Sequence, residues 1–413
     1  MIDKKIAVIS SLDTKGEAVD YLKSFISGKG FTPITVDVGY GSPVTIPADI
    51  TVDEIARAAG SSAEEVRTLP DRREMIDIIL KGAIVKLKEL YAAGGLDGVL
   101  ALGGMSNSSL AAEIMQELPF TLPKLLMSTG ASMPGSNRFF GPTGLTMMHS
   151  PIDIGALNGL LKAQLNRAAA AMCGMVENEI PASGLAGEKP MVAICTYGYT
   201  EKCSQYLAEA LNDTYETVNF HASGIAEVTM EKLIEDGLFA GVIDLVPSSI
   251  TNALYGGGRT SWDRRLEVAG EKGIPQVVAP AGVHTFSRTG VTEDVLVPQL
   301  KGRKYYFMDA QRCTVFLTNE EVADVASVYA RKLNKAKGPV KFLVPLQGWL
   351  SIEKESYNAE AIKGFVHTMR KELKPEIRLI VVDANIDDPA FAQAVVGAFY
   401  EAMGSQRKIQ RGG

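Results

Sequence analysis

Residues Ile6-Ala7-Val8-Ile9-Ser10-Ser11-Leu12-Asp13-Thr14-Lys15-Gly16-Glu17 decide how the rest of the chain is read. Four apolar residues without alternation predict a strand buried on both faces, as in a parallel sheet, and Ser10 to Thr14 form the polar turn after it. Val19, Leu22 and Ile26 then recur at helical spacing. Gly28 and Gly30 close that helix, and Thr35-Val36-Asp37-Val38 predicts the next strand. Strand, polar turn, helix and strand together make a βαβ unit.

The pattern continues outward. Thr51-Val52-Asp53-Glu54 and Ser61-Ser62-Ala63-Glu64 carry capping-box spacing and predict two short helices, and a longer helix is expected over 71–93. Gly98 to Leu102 is a buried-type strand broken by Gly103 and Gly104, a helix resumes over Ser106 to Leu118, and Pro123 to Met127 predicts a further strand. Ser150-Pro151-Ile152-Asp153 has the form of a helix start, with Ser150 as N-cap and Pro151 in the first turn of a helix reaching about Met175. Residues 178–189, with Pro181, Gly184 and Gly187, form the expected linker.

The second half begins as the first does. Met191-Val192-Ala193-Ile194-Cys195-Thr196 matches Ile6 to Ser11, and Tyr206-Leu207 matches Tyr21-Leu22. Val218 to His221 parallels Ile34 to Asp37, Ala240 to Ile243 parallels Asp97 to Leu100, and Ile274 to Val278 parallels Leu122 to Leu126. Their shared order predicts an α/β fold of two Rossmann-like, doubly wound parallel-sheet lobes related by internal similarity, over 1–180 and 190–413. Strands at 340–344 and 377–382, with helices near 319–336, 359–373 and 388–403, complete the second lobe.

Composition agrees with two globular domains. At 413 residues the chain exceeds the usual span of one hydrophobic core, and 46% apolar with 22% charged residues excludes a disordered or fibrous class. A net charge of -6 argues against a protein that works by neutralising nucleic-acid phosphates. Cys173, Cys195, Cys203 and Cys313 have no metal or disulfide spacing, which points to reduced thiols and a cytoplasmic location. No signal segment or membrane span is expected.

In an open parallel sheet, ligands lie beyond the carboxyl ends of the strands, where helix N-termini favour anions. The first lobe offers Ser10 to Glu17, Gly39 to Ser42, Gly103 to Ser108, Ser128 to Ser132 and Met148 to Asp153. Gly103 and Gly104 permit close backbone approach, Ser106, Asn107 and Ser108 can donate to phosphate oxygens, and Lys15 is a counter-charge. The competing reading is that the glycines end a strand and the serines cap a helix. Neither GxxxxGK[ST] nor a strand-following GxGxxG occurs, so any nucleotide is held by another loop set. Gly104 to Ser108 lacks the last glycine of a hydrolase nucleophile elbow, and no spacing brings His149 or Asp153 to Ser106.

The second lobe offers His221-Ala222-Ser223-Gly224 at a strand end, where a histidine serves either as acid/base or as a hydrogen-bonded structural residue. Thr251 to Arg259 is a glycine loop with a cation, suited to an anion or to a lobe contact. Arg264, Arg265 and His284 read as solvated polar groups. The four dispersed histidines show no metal-binding spacing.

In combination these landmarks resemble the tobamovirus-resistance (Tm-one-like) ATP-binding domain family, a largely uncharacterised group of bacteria, fungi and plants. The resemblance covers nearly the whole chain. It rests on Leu12 to Glu17, Val36-Asp37-Val38-Gly39, Gly103-Gly104, Met147-Met148 with Asp153, Phe220 to Gly224, Met230 to Leu233, Gly273 to Val277 and Asp388 to Ala392. It implies two Rossmann-like subdomains, ATP binding in the amino-terminal one, and a tendency to form homodimers. Where the family has a Gly-Gly-Ser-Gly-Gly-Thr-like loop, this chain has Gly103-Gly104-Met105-Ser106-Asn107-Ser108.

The first functional reading is therefore a nucleotide-binding protein taking ATP, with Mg²⁺ as accompanying cation. Asp13, Thr14, Lys15, Gly16, Asp37, Gly39, Gly103, Gly104, Ser106, Asn107, Ser108, Ser128 and Thr129 are its candidate contacts. The second is an enzyme acting on a small anionic metabolite, expected in a cleft between the lobes, with His221 as acid/base, Arg259 or Lys15 holding the anion, and Ser223 and Gly224 as further substrate contacts. The third is a binding-only interaction or regulatory module.

Overall fold

The apolar runs form the expected strands because a segment buried on both faces is stable only between two layers of helices. A computed structural model describes residues 4–39, 41, 44, 46–180, 187–261, 263–290, 292–300, 302–351 and 358–404. The chain divides into two units, Met1–Leu185 and Ala186–Gly413. Pro181 and Gly184 of the linker lie outside the described residues, as do Tyr40 and Ser42 of the Gly39 to Ser42 loop.

In the amino-terminal unit the strands are β1 (Lys5–Ser10), β2 (Thr32–Asp37), β3 (Gly98–Gly103), β4 (Lys124–Ser128) and β5 (Leu145–His149). They form one parallel sheet in the order β2-β1-β3-β4-β5. The register pairs Ser10 with Asp37 at the carboxyl ends of β1 and β2. Helices α1 (Leu12–Gly28), α2 (Val52–Ala58), α3 (Ala63–Thr68), α4 (Arg72–Ala92), α5 (Met105–Gln116) and α6 (Gly159–Glu177) accompany it. Ala7, Ile9 and Val99 pack into one core cluster, whereas Ile6, Val8 and Leu100 pack into another, so the sheet is covered on both faces.

Capping boxes start α2 and α3, with Thr51 meeting Glu54 and Ser62 meeting Glu65. The second box is one residue later than the Ser61 to Glu64 spacing suggested, and Ser61 Oγ instead donates to Glu65 Oε2 at 2.8 Å. The helix expected at Ser150 does not begin there. Ser150 Oγ donates to the Ile152 carbonyl at 2.7 Å, while Asn158 Oδ1 accepts from Leu161 N at 3.0 Å and caps α6. Ser150-Pro151 thus forms a local turn, and the side-chain cap of the helix is supplied by Asn158 instead.

The carboxyl-terminal unit repeats the layout. Its strands β6 (Met191–Thr196), β7 (Glu216–His221), β8 (Phe239–Asp244), β9 (Gln276–Val278), β13 (Val340–Pro345) and β14 (Arg378–Val382) lie in the order β14-β13-β9-β8-β6-β7, all parallel. Thr196 pairs with His221, the counterpart of Ser10 with Asp37. Helices α7 (Glu201–Leu211), α8 (Ile225–Glu235), α9 (Ser249–Leu254), α10 (Val268–Lys272), α11 (Glu293–Leu296), α12 (Asn319–Leu333), α13 (Ala359–Glu372) and α14 (Pro389–Ala402) accompany the sheet.

Between β9 and β13 the chain adds a small antiparallel sheet of β10 (Thr285–Thr289), β11 (Tyr305–Asp309) and β12 (Arg312–Phe316), in the order β10-β12-β11. Phe286, Cys313 and Val315 from it join the core cluster of β13 and α13. All four cysteines are buried free thiols. Among the described residues no helix is long and apolar enough to cross a membrane.

Candidate functional site

In a sheet of order 2-1-3-4-5 the chain reverses its direction of travel between the first and third strands, and the loops leaving those strands diverge to open a crevice. In the amino-terminal unit these are the exits of β1 and β3. Ser10 Oγ donates to the Leu102 carbonyl at 3.0 Å, and Ser11 Oγ donates to Asn107 Oδ1 at 2.9 Å, tying the two exits together. With Oδ1 engaged in this way, Asn107 Nδ2 is the donor left to a ligand. Gly103 is required here, because a Cβ on it would lie 2.4 Å from the Asn107 Cβ.

Asp37 closes the other side. Its Oδ1 accepts from Leu12 N at 3.0 Å and Gly39 N at 2.9 Å, and burial, partly offset by those bonds, holds its pKa above the usual carboxylate range. Asp13 Oδ2 accepts from Gly41 N at 3.2 Å, and a Cβ on Gly39 would lie 2.9 Å from Asp13 Oδ1. The positive end of α1 therefore already meets two carboxylates. The first turn of α5 contains no acidic residue and its N-cap is Gly104, so this helix end is the one open to an added anion.

A cleft of about 400 Å³ lies here, lined in part by Ser11, Asp13, Thr14, Arg72 and Asn107. Of the residues expected to contact phosphate, Asp13, Thr14 and Asn107 share it. Lys15 and Gly16 follow in the first turns of α1, Gly16 being buried, and neither lines the cleft. Ser106 is exposed on α5 outside its wall. Ser108 and Ser128 are fully buried and bond to each other at 2.6 Å, with Ser128 Oγ also accepting from Gly130 N at 3.0 Å. Thr129 N donates to the Gly103 carbonyl at 3.2 Å, which places it beside Gly104. His149 meets Ser132 at 3.4 Å.

The matching crevice of the carboxyl-terminal unit lies at the exits of β6 and β8. His221 stacks on Tyr197 with ring centroids 4.7 Å apart, and Arg259 sits over the same ring with Cζ 4.4 Å from its centroid. Arg259 Nη1 reaches the Ala222 carbonyl at 3.5 Å. Burial, reinforced by the Arg259 charge, lowers the His221 pKa and favours the neutral ring. Gly224 has φ 96°, and a Cβ on it would lie 2.3 Å from the Thr260 carbonyl oxygen, so this glycine lets the β7 exit meet the Arg259 loop. Ser223 is exposed between them. A cleft of about 330 Å³ opens beside Thr196, Tyr197, Glu201, Asn219 and His221.

Arg265 is not a solvated charge. It is 1% exposed and pairs with Asp244 at 2.5 Å, Glu231 at 3.0 Å and Glu227 at 3.3 Å. Glu227 Oε2 accepts from Gly224 N at 2.7 Å and its Oε1 accepts from Ser249 Oγ at 2.5 Å, so the cluster underpins the β7 exit. Burial pushes the Glu231 pKa up to about 7 and raises that of Glu227. His284 is likewise buried, edge-on to Trp349 at 5.3 Å. Arg264 does lie at the surface, bridging Glu235 at 2.9 Å and Glu271 at 2.5 Å.

Sequence reasoning missed Tyr197 and Tyr199. The available signal was position: Tyr197-Gly198-Tyr199 follows β6 as Ser11-Leu12-Asp13 follows β1. Among the described residues no group of three or more His, Cys, Asp or Glu is placed to hold a metal ion.

Comparison with known proteins agrees with the two-unit layout. Residues 4–181 match the model of the uncharacterised protein family UPF0261 N-terminal domain, and residues 189–403 that of its C-terminal domain. A UPF0261 protein of Clostridium tetani is 34% identical over 408 residues, covering 97% of this chain and 100% of that protein. One from Mesorhizobium japonicum is 28% identical over 398 residues, covering 95% and 98%. The ToMV susceptible protein tm-1(GCR26) of Solanum lycopersicum is 29% identical over 366 residues, covering 86% of this chain but 48% of that longer protein. The resemblance read from the motifs is borne out, and the chain belongs to the uncharacterised family UPF0261.

Proposed function

We propose that the amino-terminal unit binds the phosphate groups of a nucleotide such as ATP at the exits of β1 and β3. The observation that carries this reading is the Ser11 to Asn107 hydrogen bond, which joins the two exits beside a cleft of about 400 Å³. Phosphate oxygens would meet Asn107 Nδ2 and the first N–H groups of α5, where no acidic side chain competes. Arg72, which lines the cleft, adds positive charge. Asp13 is the cleft carboxylate that would hold a phosphate-bound Mg²⁺, an ion that usually takes one or two protein carboxylates and draws its other ligands from phosphate and water. The resemblance to an ATP-binding family supports the same ligand.

Isothermal titration of the full chain with ATP and Mg²⁺ tests the reading. Binding is expected, and Asn107→Asp should weaken it on the order of 10- to 100-fold, because a donor to a charged oxygen is replaced by a carboxylate. No binding at millimolar nucleotide, or equal binding by the variant, would overturn it.

A further inference from the structure

We propose that the carboxyl-terminal unit carries a second ligand site, for an uncharged polyhydroxylated small molecule such as a sugar or polyol, in the cleft between strand β7 and helix α7. The site is independent of the nucleotide reading.

Two elements build its walls. Asn219 and His221 are two residues apart on β7 and share one face of that strand, while Phe220 between them turns into the core. Glu201 and Gln205 are four residues apart on α7 and share one face of that helix. All four line the cleft of about 330 Å³ at the carboxyl ends of β6 and β7, a volume within the roughly 300 to 1,000 Å³ usual for small-molecule sites. Tyr197, the residue after β6, stacks on the His221 ring and fixes its orientation. Neither Asn219 nor His221 hydrogen-bonds through its side chain to another described residue, and Gln205 Nε2 makes only a long bond, 3.4 Å, to Glu201 Oε1. Gly198 completes the lining, and a Cβ on it would meet no atom within 4 Å.

The lining chemistry selects the ligand. An amide offers donors and an acceptor, a neutral imidazole one of each, and a carboxylate acceptors alone. Such a mixture on facing walls matches neighbouring hydroxyl groups, each of which donates and accepts at once. An apolar guest would strip the same groups of water and return no hydrogen bonds. Charge argues against ions of either sign. Among the described residues that line the cleft, Glu201 is the one carboxylate and there is no lysine or arginine, so an anion is opposed. Arg259, whose charge adds to burial in lowering the His221 pKa, sits over the Tyr197 ring and opposes a cation.

The test is saturation-transfer difference NMR of ribose, glucose and myo-inositol at millimolar concentration with the full chain, with acetate, methyl phosphate and methylammonium as charged comparisons. At least one of the three polyols should receive saturation from wild type, and Gly198→Phe, which fills the cleft, should abolish that transfer. Asn219→Ala and His221→Phe, the latter keeping a ring on Tyr197, should each weaken binding about tenfold. ATP binding should be unchanged in all three variants. If Gly198→Phe melts early, the other two decide the matter. No polyol signal from wild type, a polyol signal that the variants leave intact, or a charged probe that loses its signal in the variants while the polyols keep theirs would each overturn the proposal.

Discussion

Glu231→Gln should remove most of the stability that the carboxyl-terminal unit loses between mildly acid and mildly alkaline pH. Glu231 is 2% exposed, and its Oε1 accepts from Arg265 Nη1 at 3.0 Å and from Leu266 N at 2.8 Å. Three carboxylates, Glu227, Glu231 and Asp244, surround one guanidinium, so full ionisation would leave excess negative charge in the core. Burial accordingly raises the Glu231 pKa from 4.5 to about 7. Between those values the folded protein holds a proton that the unfolded chain has released. The associated stability is complete below about pH 4.5 and is lost as the pH rises through about 7. At ~1.36 kcal/mol per pKa unit, the change amounts to roughly 3 kcal/mol. Glutamine keeps the Oε1 acceptor and copies the shape of the protonated acid without titrating. Trp262 and Trp349 are the protein's two tryptophans and both belong to this unit, so urea unfolding read by tryptophan fluorescence reports on it. The wild-type stability measured against that of Glu231→Gln should fall by roughly 3 kcal/mol from about pH 5 to about pH 8. Parallel pH profiles for the two proteins would refute the reasoning.

Gly224→Ala should destabilise the same unit by at least ~2 kcal/mol, because alanine is strained at this φ and its Cβ meets the Thr260 carbonyl; thermal melting should fall by about 4 °C or more. Lys124→Met should cost at least ~2 kcal/mol, since the fully buried Lys124 Nζ donates to the carbonyls of Pro119, Phe120 and Leu122. Faster hydrogen exchange around residues 115–126 would register that loss, and unchanged exchange would count against it.

Legibility in the sequence followed burial. Ile6 to Ile9 and Met191 to Cys195 could be read because a short apolar run rich in β-branched residues and followed by a polar turn is what a strand covered on both faces requires. Leu145–His149 escaped notice because β5 is a sheet edge, with Thr146 and His149 exposed, and lacks a continuous apolar signal. Strands β10 to β12 were missed for a related reason: Arg288, Asp309 and Arg312 interrupt them, and antiparallel pairing with one covered face tolerates that. Ser150-Pro151 misled because an N-cap and a turn use the same hydroxyl chemistry. The loop glycines were legible as such, but the Ser11 to Asn107 contact was not, since 96 residues separate the partners and only the strand order unites them. Arg265 looked solvated because neighbouring charges in a sequence do not reveal that its three carboxylate partners lie on β8 and α8.

The equivalent pairing of Ser10 with Asp37 and of Thr196 with His221 has a consequence for how the two halves diverged. In the first half that rung of the ladder is committed to architecture, its carboxylate bound by two backbone amides. In the second, Gly224 and Glu227 fix the bend instead, which frees the same rung to carry an imidazole at the surface. The repeated layout thereby presents two mouths of unlike chemistry, the first walled by Asp13 and Arg72 and the second by Glu201 and His221.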